Sequence, residues 1–122
     1  MLAALSNVIV RAYRDALGRG PTRARTHHAT HDLLVCVLQD TLTPAERQLL
    51  AAGRHEDVRT TRALLIGTIE PQLRASVEEL CGRRVLSVVS GFNPWDDIAS
   101  EAFLLEASED EDQTRESDPS AR

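Results

Sequence analysis

The sequence predicts a two-layer α+β domain, in which an antiparallel sheet of about four strands is covered by helices on one face. Three observations support this prediction. Apolar residues recur at helical spacing in two long segments, whereas four short segments are typical of strands. The strand-like segments form two adjacent pairs with helices between them, which gives the order α-β-β-α-α-β-β. The 122 residues, 42% of them apolar, suffice for one core.

The first helix is predicted near the N-terminus from apolar residues spaced by three or four positions. This stripe consists of Leu2, Leu5, Ile9, Ala12 and Ala16. Gly18, Gly20 and Pro21 follow the stripe and should end the helix. One side of this helix therefore needs a sheet or a partner to cover it.

The first hairpin is predicted directly after this helix. Thr22 to Thr30 contains several strand-tolerant residues, and Leu33 to Leu38 is an unbroken apolar run, LLVCVL. A run of this kind is typical of a central strand that is buried on both faces. The segment Ala29 to Asp32 would form the turn between the two strands.

The middle of the chain predicts two helices. The segment Thr43 to Glu46 (TPAE) is a helix-start motif, because its threonine can cap the helix, its proline suits the first helical position and its glutamate can close a capping box. This short helix should end at Gly53. A longer helix is predicted from His55 to Cys81, with a kink at Pro71. Its apolar stripe comprises Val58, Leu65, Ile66, Ile69, Leu73, Val77 and Leu80.

The second hairpin is predicted in the last part of the domain. Gly82 is suited to end the long helix, and Val85 to Ser90 and Ile98 to Leu105 are strand-like. Residues 91–96 between them have the composition of a loop. The two strands should therefore pair in an antiparallel hairpin.

Residues 107–122 predict a disordered acidic tail, which leaves residues 1–106 as a single domain. The tail is rich in Glu, Asp and Ser and has no apolar anchor. It carries six acidic residues and two arginines, so it holds −4 of the formal net charge of −5. The body is therefore nearly neutral, which argues against nucleic-acid binding, because such binding needs a basic face.

The sequence predicts a cytoplasmic protein. Cys36 and Cys81 have no CxxC spacing, and the N-terminal segment lacks the basic region of a secretory signal. No run of about 18 apolar residues is present, so direct insertion into a membrane is not expected. We therefore expect free thiols in a reducing compartment.

The stretch GPTRART contains a candidate anion-binding segment, formed by Thr22, Arg23, Arg25 and Thr26. Arginine forks and backbone N–H groups can hold an anion together. The stretch lacks the glycine spacing and the lysine of a P-loop. The alternative interpretation is a solvated or salt-bridged face of an edge strand.

His27, His28 and His31 form a candidate metal-binding cluster, with Asp32 adjacent to it. Histidine is a common zinc ligand, and a catalytic zinc site takes three protein ligands. On a strand, however, His27 and His28 point to opposite faces. Solvated strand histidines are therefore the favoured interpretation, and no metal is expected.

The sequence contains no recognisable catalytic constellation. Ser87 and Ser90 lack a GxSxG context, and Cys36 lies inside an apolar run, where a thiol is inert. Asp96 and Asp97 are adjacent, so their side chains diverge, which favours a role in the turn over acid–base chemistry. We therefore expect neither catalytic residues nor a cofactor, and predict that the protein is not an enzyme.

Phe92 and Trp95 are candidates for a protein interface. Only four aromatic residues of the Phe, Trp and Tyr types occur in the chain, and these two lie in one predicted loop. Exposed aromatic side chains favour protein interfaces. The alternative is that both rings fold back over the hairpin.

Taken together, the motifs resemble one known family, the MpsC-like domains. The motifs that carry the resemblance are GPTRART, DLLVCVL, LTPAERQLLAAGR, VEELCGRRV and the final hairpin through FLLE. The resemblance covers about residues 2–106. The family is named for the soluble third component of a Na⁺-translocating, membrane-potential-generating system. It supplies no established catalytic residues.

The resemblance extends to specific positions and fails at one segment. The matching positions are Gly20, Pro21, Thr22, Arg25, Asp32, Gly53, Arg54, Gly82 and Arg83. The chain departs from the family pattern at His27 to His31, where strand residues and a shorter polar turn are expected.

The resemblance implies an accessory or regulatory binding protein of a membrane system for cation or inorganic-carbon transport. We expect a homodimer, because the edges of a small sheet must be covered or paired, and a membrane-protein partner. The first alternative is a sensor of small ligands or anions at Arg23 to Thr26. The second is a metal-dependent protein at the histidine cluster.

Overall fold

The structure, a computed structural model, describes residues 1–107. Its elements are α1 (Leu2–Leu17), β1 (Arg23–Thr30), β2 (Leu33–Gln39), α2 (Pro44–Ala51), α3 (His55–Cys81), β3 (Val85–Asn93) and β4 (Ile98–Leu105). This order and the α+β class confirm the prediction. The predicted acidic tail, apart from Ala107, lies outside the described residues. Within residues 1–107, no helix combines the length and the hydropathy needed to cross a membrane.

The four strands form one open antiparallel sheet in the order β1-β2-β4-β3. The two hairpins predicted from the sequence are both present, and β4 of the second pairs with β2 of the first. This arrangement places β1 and β3 at the edges. Helices α1 and α3 pack against each other and against one face of the sheet.

The core lies between these two helices and the sheet. Inward-facing side chains of β2 and β4 meet the apolar stripes of α1 and α3, and each fully buried aliphatic side chain contributes about 1.5–3 kcal/mol. The buried cluster includes Leu5, Ile9, Ala12, Leu34, Leu38, Ile66, Leu73, Val77, Ala99, Phe103 and Leu105. One core therefore holds all four strands and the two long elements of the helical layer.

The central strand β2 is covered on one face only, which corrects the expectation of burial on both faces. Leu34, Cys36 and Leu38 are completely buried under the helices. Val35 between them is half-buried, and Val37 is 37% exposed. The apolar run does not distinguish the two faces, because its outward positions are as apolar as its inward ones.

The helix boundaries follow the predicted signals. The capping box of α2 is present, since Glu46 N–H donates to Thr43 Oγ1 at 3.1 Å and Thr43 N–H donates to Glu46 Oε1 at 2.8 Å. Gly82 ends α3 with φ of 67°, a left-handed conformation that glycine adopts without strain. Helix α3 continues through Pro71, whose side chain is exposed. The kink there stays a prediction.

The inward face of α3 differs in part from the predicted stripe. Leu65 and Leu80 are 38% and 39% exposed, because they lie on the flanks of the helix. The buried side also includes Arg62, which was not predicted there and is 1% exposed. Strand β3 also runs on to Asn93, because Gly91 to Asn93 pair with β4. The predicted loop is correspondingly shorter.

Candidate functional site

A row of polar side chains crosses the middle of the sheet on its helix-facing side. The register pairs Thr26 with Cys36, Cys36 with Glu101 and Glu101 with Ser90, so that one residue comes from each strand. Side chains in one cross-strand row share a face of the sheet. The interior of this small domain therefore contains a polar row that ends at edge strand β3.

Glu101 is the central group of this row. Its side chain is completely buried, and it accepts hydrogen bonds from Tyr13 Oη at 2.7 Å and from Ser90 Oγ. Burial raises the pKa of Glu101 above the ordinary glutamate value, although the two hydroxyl donors oppose this shift. Burial and the neighbouring Glu101 also raise the pKa of Tyr13, so the phenol keeps its proton and remains a donor. Within residues 1–107, Glu101 forms no ion pair.

Arg62 is the second buried charged group, and it is fully paired. Its guanidinium donates to Glu46 at 2.6 and 2.9 Å and to Thr41 Oγ1 and O at 2.8 and 3.1 Å. It also lies 3.9 Å from the centroid of the Phe92 ring, a cation–π contact. Burial tends to raise the pKa of Glu46, but the hydrogen bonds from Arg62 and the Thr43 backbone outweigh it and hold that pKa below its usual value.

A cleft of about 580 Å³ opens between α3 and the edge strand β3. This size is typical of sites for small molecules. The residues that line it are Tyr13, Glu56, Arg59, Thr60, Arg62, Ala63, Ile66, Gly67, Val88, Ser90, Gly91 and Phe92. Ser90 and Tyr13 connect the cleft to Glu101, because both hydroxyls bind that carboxyl group. The cleft therefore combines these two hydroxyls with apolar side chains and with the charged side chains of Glu56, Arg59 and Arg62.

The opposite face of the sheet, which we call the open face, is a second candidate surface. Its outward positions follow from the strand register, because side chains alternate between faces. The apolar ones are Leu33, Val35, Val37, Val89, Ile98, Ala102 and Leu104. Val89 is 63% exposed and Leu104 is 42% exposed. Both long helices pack on the other side of the sheet.

Comparison with known protein families assigns the chain. The family described as the Na⁺-translocating membrane potential-generating system (MpsC) matches residues 1–107. The chain belongs to the MpsC family. This confirms the resemblance found in the sequence. No curated protein and no solved structure matches the chain.

The predicted anion segment of the MpsC domain does not converge on one point. Thr26 faces the helices, is 7% exposed and shares a hydrogen bond of 2.8 Å with Ser6. Arg23 and Arg25 lie on the open face, opposite Gln39 and Val37. Thr22 precedes β1 and is exposed. The two arginines thus lie on the other side of the sheet from Thr26.

The histidines are also separated. His27 pairs with Val35 on the open face, whereas His28 pairs with Leu34 on the other face. His31 lies in the turn, and all three are exposed. In the described part of the chain, no group of three His, Cys, Asp or Glu side chains is arranged to hold a metal ion.

The two aromatic candidates have different environments. Phe92 is half-buried against the core, beneath the guanidinium of Arg62. Trp95 stays 58% exposed and stacks on His55 at a ring-centroid distance of 4.8 Å. Phe92 therefore forms a wall of the cleft, whereas Trp95 covers the start of α3.

Asp97 has a structural role in the loop that connects β3 and β4. Its Oδ1 accepts the backbone N–H groups of Thr41 and Leu42 at 2.8 and 3.1 Å. Its φ is 54°, a left-handed conformation that aspartate tolerates better than most residues. Arg47 lies 3.8 Å from its other oxygen. The carboxyl group thus ties the β3–β4 connection to the segment before α2.

Three residues of the site were not predicted from the sequence: Tyr13, Arg62 and Glu101. Two of them were visible as charged residues at inward positions. Arg62 falls four residues after Val58 and four before Ile66, on the buried side of α3. Glu101 alternates with buried Ala99 and Phe103 on β4 in the same way. A charged residue in a core register is a signal for a buried polar network.

Proposed function

We propose that this MpsC domain is a non-enzymatic accessory or regulatory subunit of a Na⁺-translocating membrane system, and that it acts as a homodimer in the cytoplasm. The family description supports the association with such a system. The observation that carries the homodimer is the open face, because monomeric proteins rarely expose contiguous apolar patches larger than a few hundred Å².

A second copy of the chain is the occupant that fits the open face best. Four strands spaced by about 4.8 Å and about seven residues long span roughly 19 by 24 Å, or about 450 Å² for each partner. Two such faces bury about 900 Å², which is below the standard size of stable interfaces and within the range of weak, transient ones. We therefore expect a dimer with micromolar affinity.

The chain's own acidic segment is unsuited to cover this face. Residues 108–122 contain one apolar residue, Ala121, and six acidic ones. Burial of apolar surface requires apolar groups on both sides, whereas a charged segment would lose hydration. A second open face offers seven apolar side chains at matching spacing.

The distribution of charge selects one symmetry for the dimer. The basic groups of the open face, Arg23, Arg25 and His27, all lie on edge strand β1. The outward residues of the other edge, β3, are Ser87, Val89, Gly91 and Asn93, which carry no charge. A two-fold axis that lies in the interface and runs parallel to the strands places β1 of one chain over β3 of the partner. An axis in the same plane but perpendicular to the strands would place β1 over β1 and bring their basic groups together.

The accessory role is tested by affinity purification of the tagged chain from its native host, with the membranes solubilised. We expect a polytopic subunit of a cation-translocating system among the specifically recovered proteins. The matched variants Val89→Glu on the open face and Leu64→Glu on the outer side of α3 reveal whether recovery depends on the dimer. Recovery of soluble proteins alone, or of the bait alone, would contradict the accessory role.

A further inference from the structure

Among the described residues around the cleft between α3 and β3, both arginines are paired with carboxylates, whereas Glu101 has no cationic partner. Arg62 is paired with Glu46 at 2.6 Å, and Arg59 is paired with Glu56 at 3.4 Å. Glu101 is completely buried, and its hydrogen-bond donors are the neutral hydroxyls of Tyr13 and Ser90. A buried carboxylate without a cation is costly, so this position favours a positive group supplied from outside.

The orientation of the two hydroxyl groups defines what a ligand would meet. Ser90 Oγ–H and Tyr13 Oη–H both point their protons at Glu101 when the carboxyl is ionised. Their remaining lone pairs can only accept hydrogen bonds. Because Ser90 lines the cleft, it offers an acceptor with a negative charge directly behind it. The two hydroxyl groups are therefore complementary to a donor that carries positive charge.

Gly67 gives independent evidence that the cleft is kept open. It lies in the interior of α3, where glycine costs about 1 kcal/mol relative to alanine. Its φ is not in the left-handed region, and a Cβ atom placed on it would meet nothing within 4 Å. Neither backbone conformation nor packing therefore requires glycine at this position. The missing side chain does enlarge the cleft, which Gly67 lines.

We propose that this cleft binds a small amphipathic amine. Its ammonium group would lie against Ser90 and provide the counter-charge for Glu101. Its apolar body would pack against Ile66, Val88 and the edge of Phe92, which line the walls. The volume of about 580 Å³ is ample for such a molecule. The site does not depend on the open face, which lies on the other side of the sheet.

Three probes of equal length separate the contributions of charge and shape. These are n-hexylamine, which is protonated at neutral pH like a lysine side chain, n-hexanol and hexanoate. Each is titrated into the full-length ¹⁵N-labelled protein and followed through the backbone amide signals of Gly67 and Gly91. We expect saturable shifts with hexylamine, affinity at least about tenfold lower for hexanol, and no saturable shift with hexanoate.

Two variants and one control locate the binding. Gly67→Leu should abolish the shifts at Gly91 by filling the cleft, whereas Gln72→Leu, at an exposed position five residues further along α3, should leave them unchanged. Glu101→Gln preserves size and removes the charge, while its amide accepts from one of the two hydroxyls and donates to the other. It should therefore reduce the preference for hexylamine over hexanol to about one. Melting curves show that each variant is folded.

Three results would overturn the proposal. The first is a lack of saturable shifts with hexylamine at millimolar concentration. The second is binding of hexanoate as tight as that of hexylamine. The third is an unchanged preference for the amine in the folded Glu101→Gln variant, because the charge behind Ser90 would then have no part in recognition.

Discussion

Replacement of Arg62 by methionine tests the buried network beneath the cleft. Methionine keeps the apolar stem of the side chain but ends before the guanidinium, so the cation–π contact with Phe92 is lost as well. It removes the donors to Glu46 and Thr41, which are held at 2.6 to 3.1 Å. Glu46 is only 12% exposed at its side chain, so its carboxylate would lose a partner that water cannot fully replace.

The expected loss of stability is about 3 kcal/mol. Removal of one partner of a buried ion pair costs about 3–5 kcal/mol, and the slight exposure of Glu46 places this pair at the lower end. A domain of this size loses about 4–8 °C in Tm per kcal/mol, so Tm should fall by roughly 12–24 °C. Urea unfolding followed by circular dichroism measures the free energy directly.

Arg59→Ala is the matched control. Arg59 lies one turn earlier on α3, and its pair with Glu56 is exposed, with side-chain exposures of 51% and 75%. Such a pair contributes less than about 1 kcal/mol. A loss below about 1 kcal/mol for Arg62→Met, or a similar loss for the two variants, would refute the network as a source of stability.

The same network predicts a dependence on pH. The pKa of Glu46 is lowered in the folded protein, so its stabilising contribution is present above the ordinary glutamate pKa and is lost as pH falls through the lowered value. The difference in stability between the wild type and Arg62→Met should therefore shrink in acid. Glu46→Gln preserves the capping box. The double variant Arg62→Met/Glu46→Gln should lose less free energy of unfolding than the sum of the losses in the two single variants.

Three further changes follow from the structure. Gly67→Ala should raise the free energy of unfolding by about 1 kcal/mol through helix propensity, whereas Gly82→Ala, at φ of 67°, should lower it; thermal melts compare them. Glu101→Gln should gain stability relative to the wild type as pH rises above the ordinary glutamate pKa. The reason is that the pKa of Glu101 is raised in the folded protein, so ionisation of this carboxyl group opposes folding. Urea titrations at several pH values measure the difference in stability, and a difference that does not change with pH would contradict the prediction. Asp97→Ala should cost about 2 kcal/mol by removing the acceptor of two backbone amides, whereas the neighbouring Asp96→Ala should change stability by less than about 0.5 kcal/mol in the same assay.

The fold could be predicted because its signals are local. The stripe of α1, the capping box at Thr43 and the two hairpins depend on residues a few positions apart. The two faces of β2 could not be distinguished, because Leu33, Val35 and Val37 are as apolar as their buried neighbours. Only the position of the helices, which is a property of the whole domain, shows that these outward side chains lie on the open face.

The candidate site could not be predicted from patterns of neighbouring residues. Tyr13 and Glu101 are 88 positions apart, and no motif joins them. The cleft exists only because α3 packs beside β3, so that Gly67 and Ser90 line the same cavity. The arginines and histidines of β1 were predicted as candidate sites because they are clustered in sequence, yet side chains that are neighbours along a strand point to opposite faces.

The molar mass of the full chain in solution tests the homodimer most directly. Sedimentation equilibrium of the wild type between about 1 and 200 μM should show the mass of two chains at the upper end, with dissociation on dilution. Val89→Glu should give the mass of one chain throughout, and Leu64→Glu should behave as the wild type. A single-chain mass for the wild type at every concentration, or a dimer that survives Val89→Glu but not Leu64→Glu, would contradict pairing through the open face.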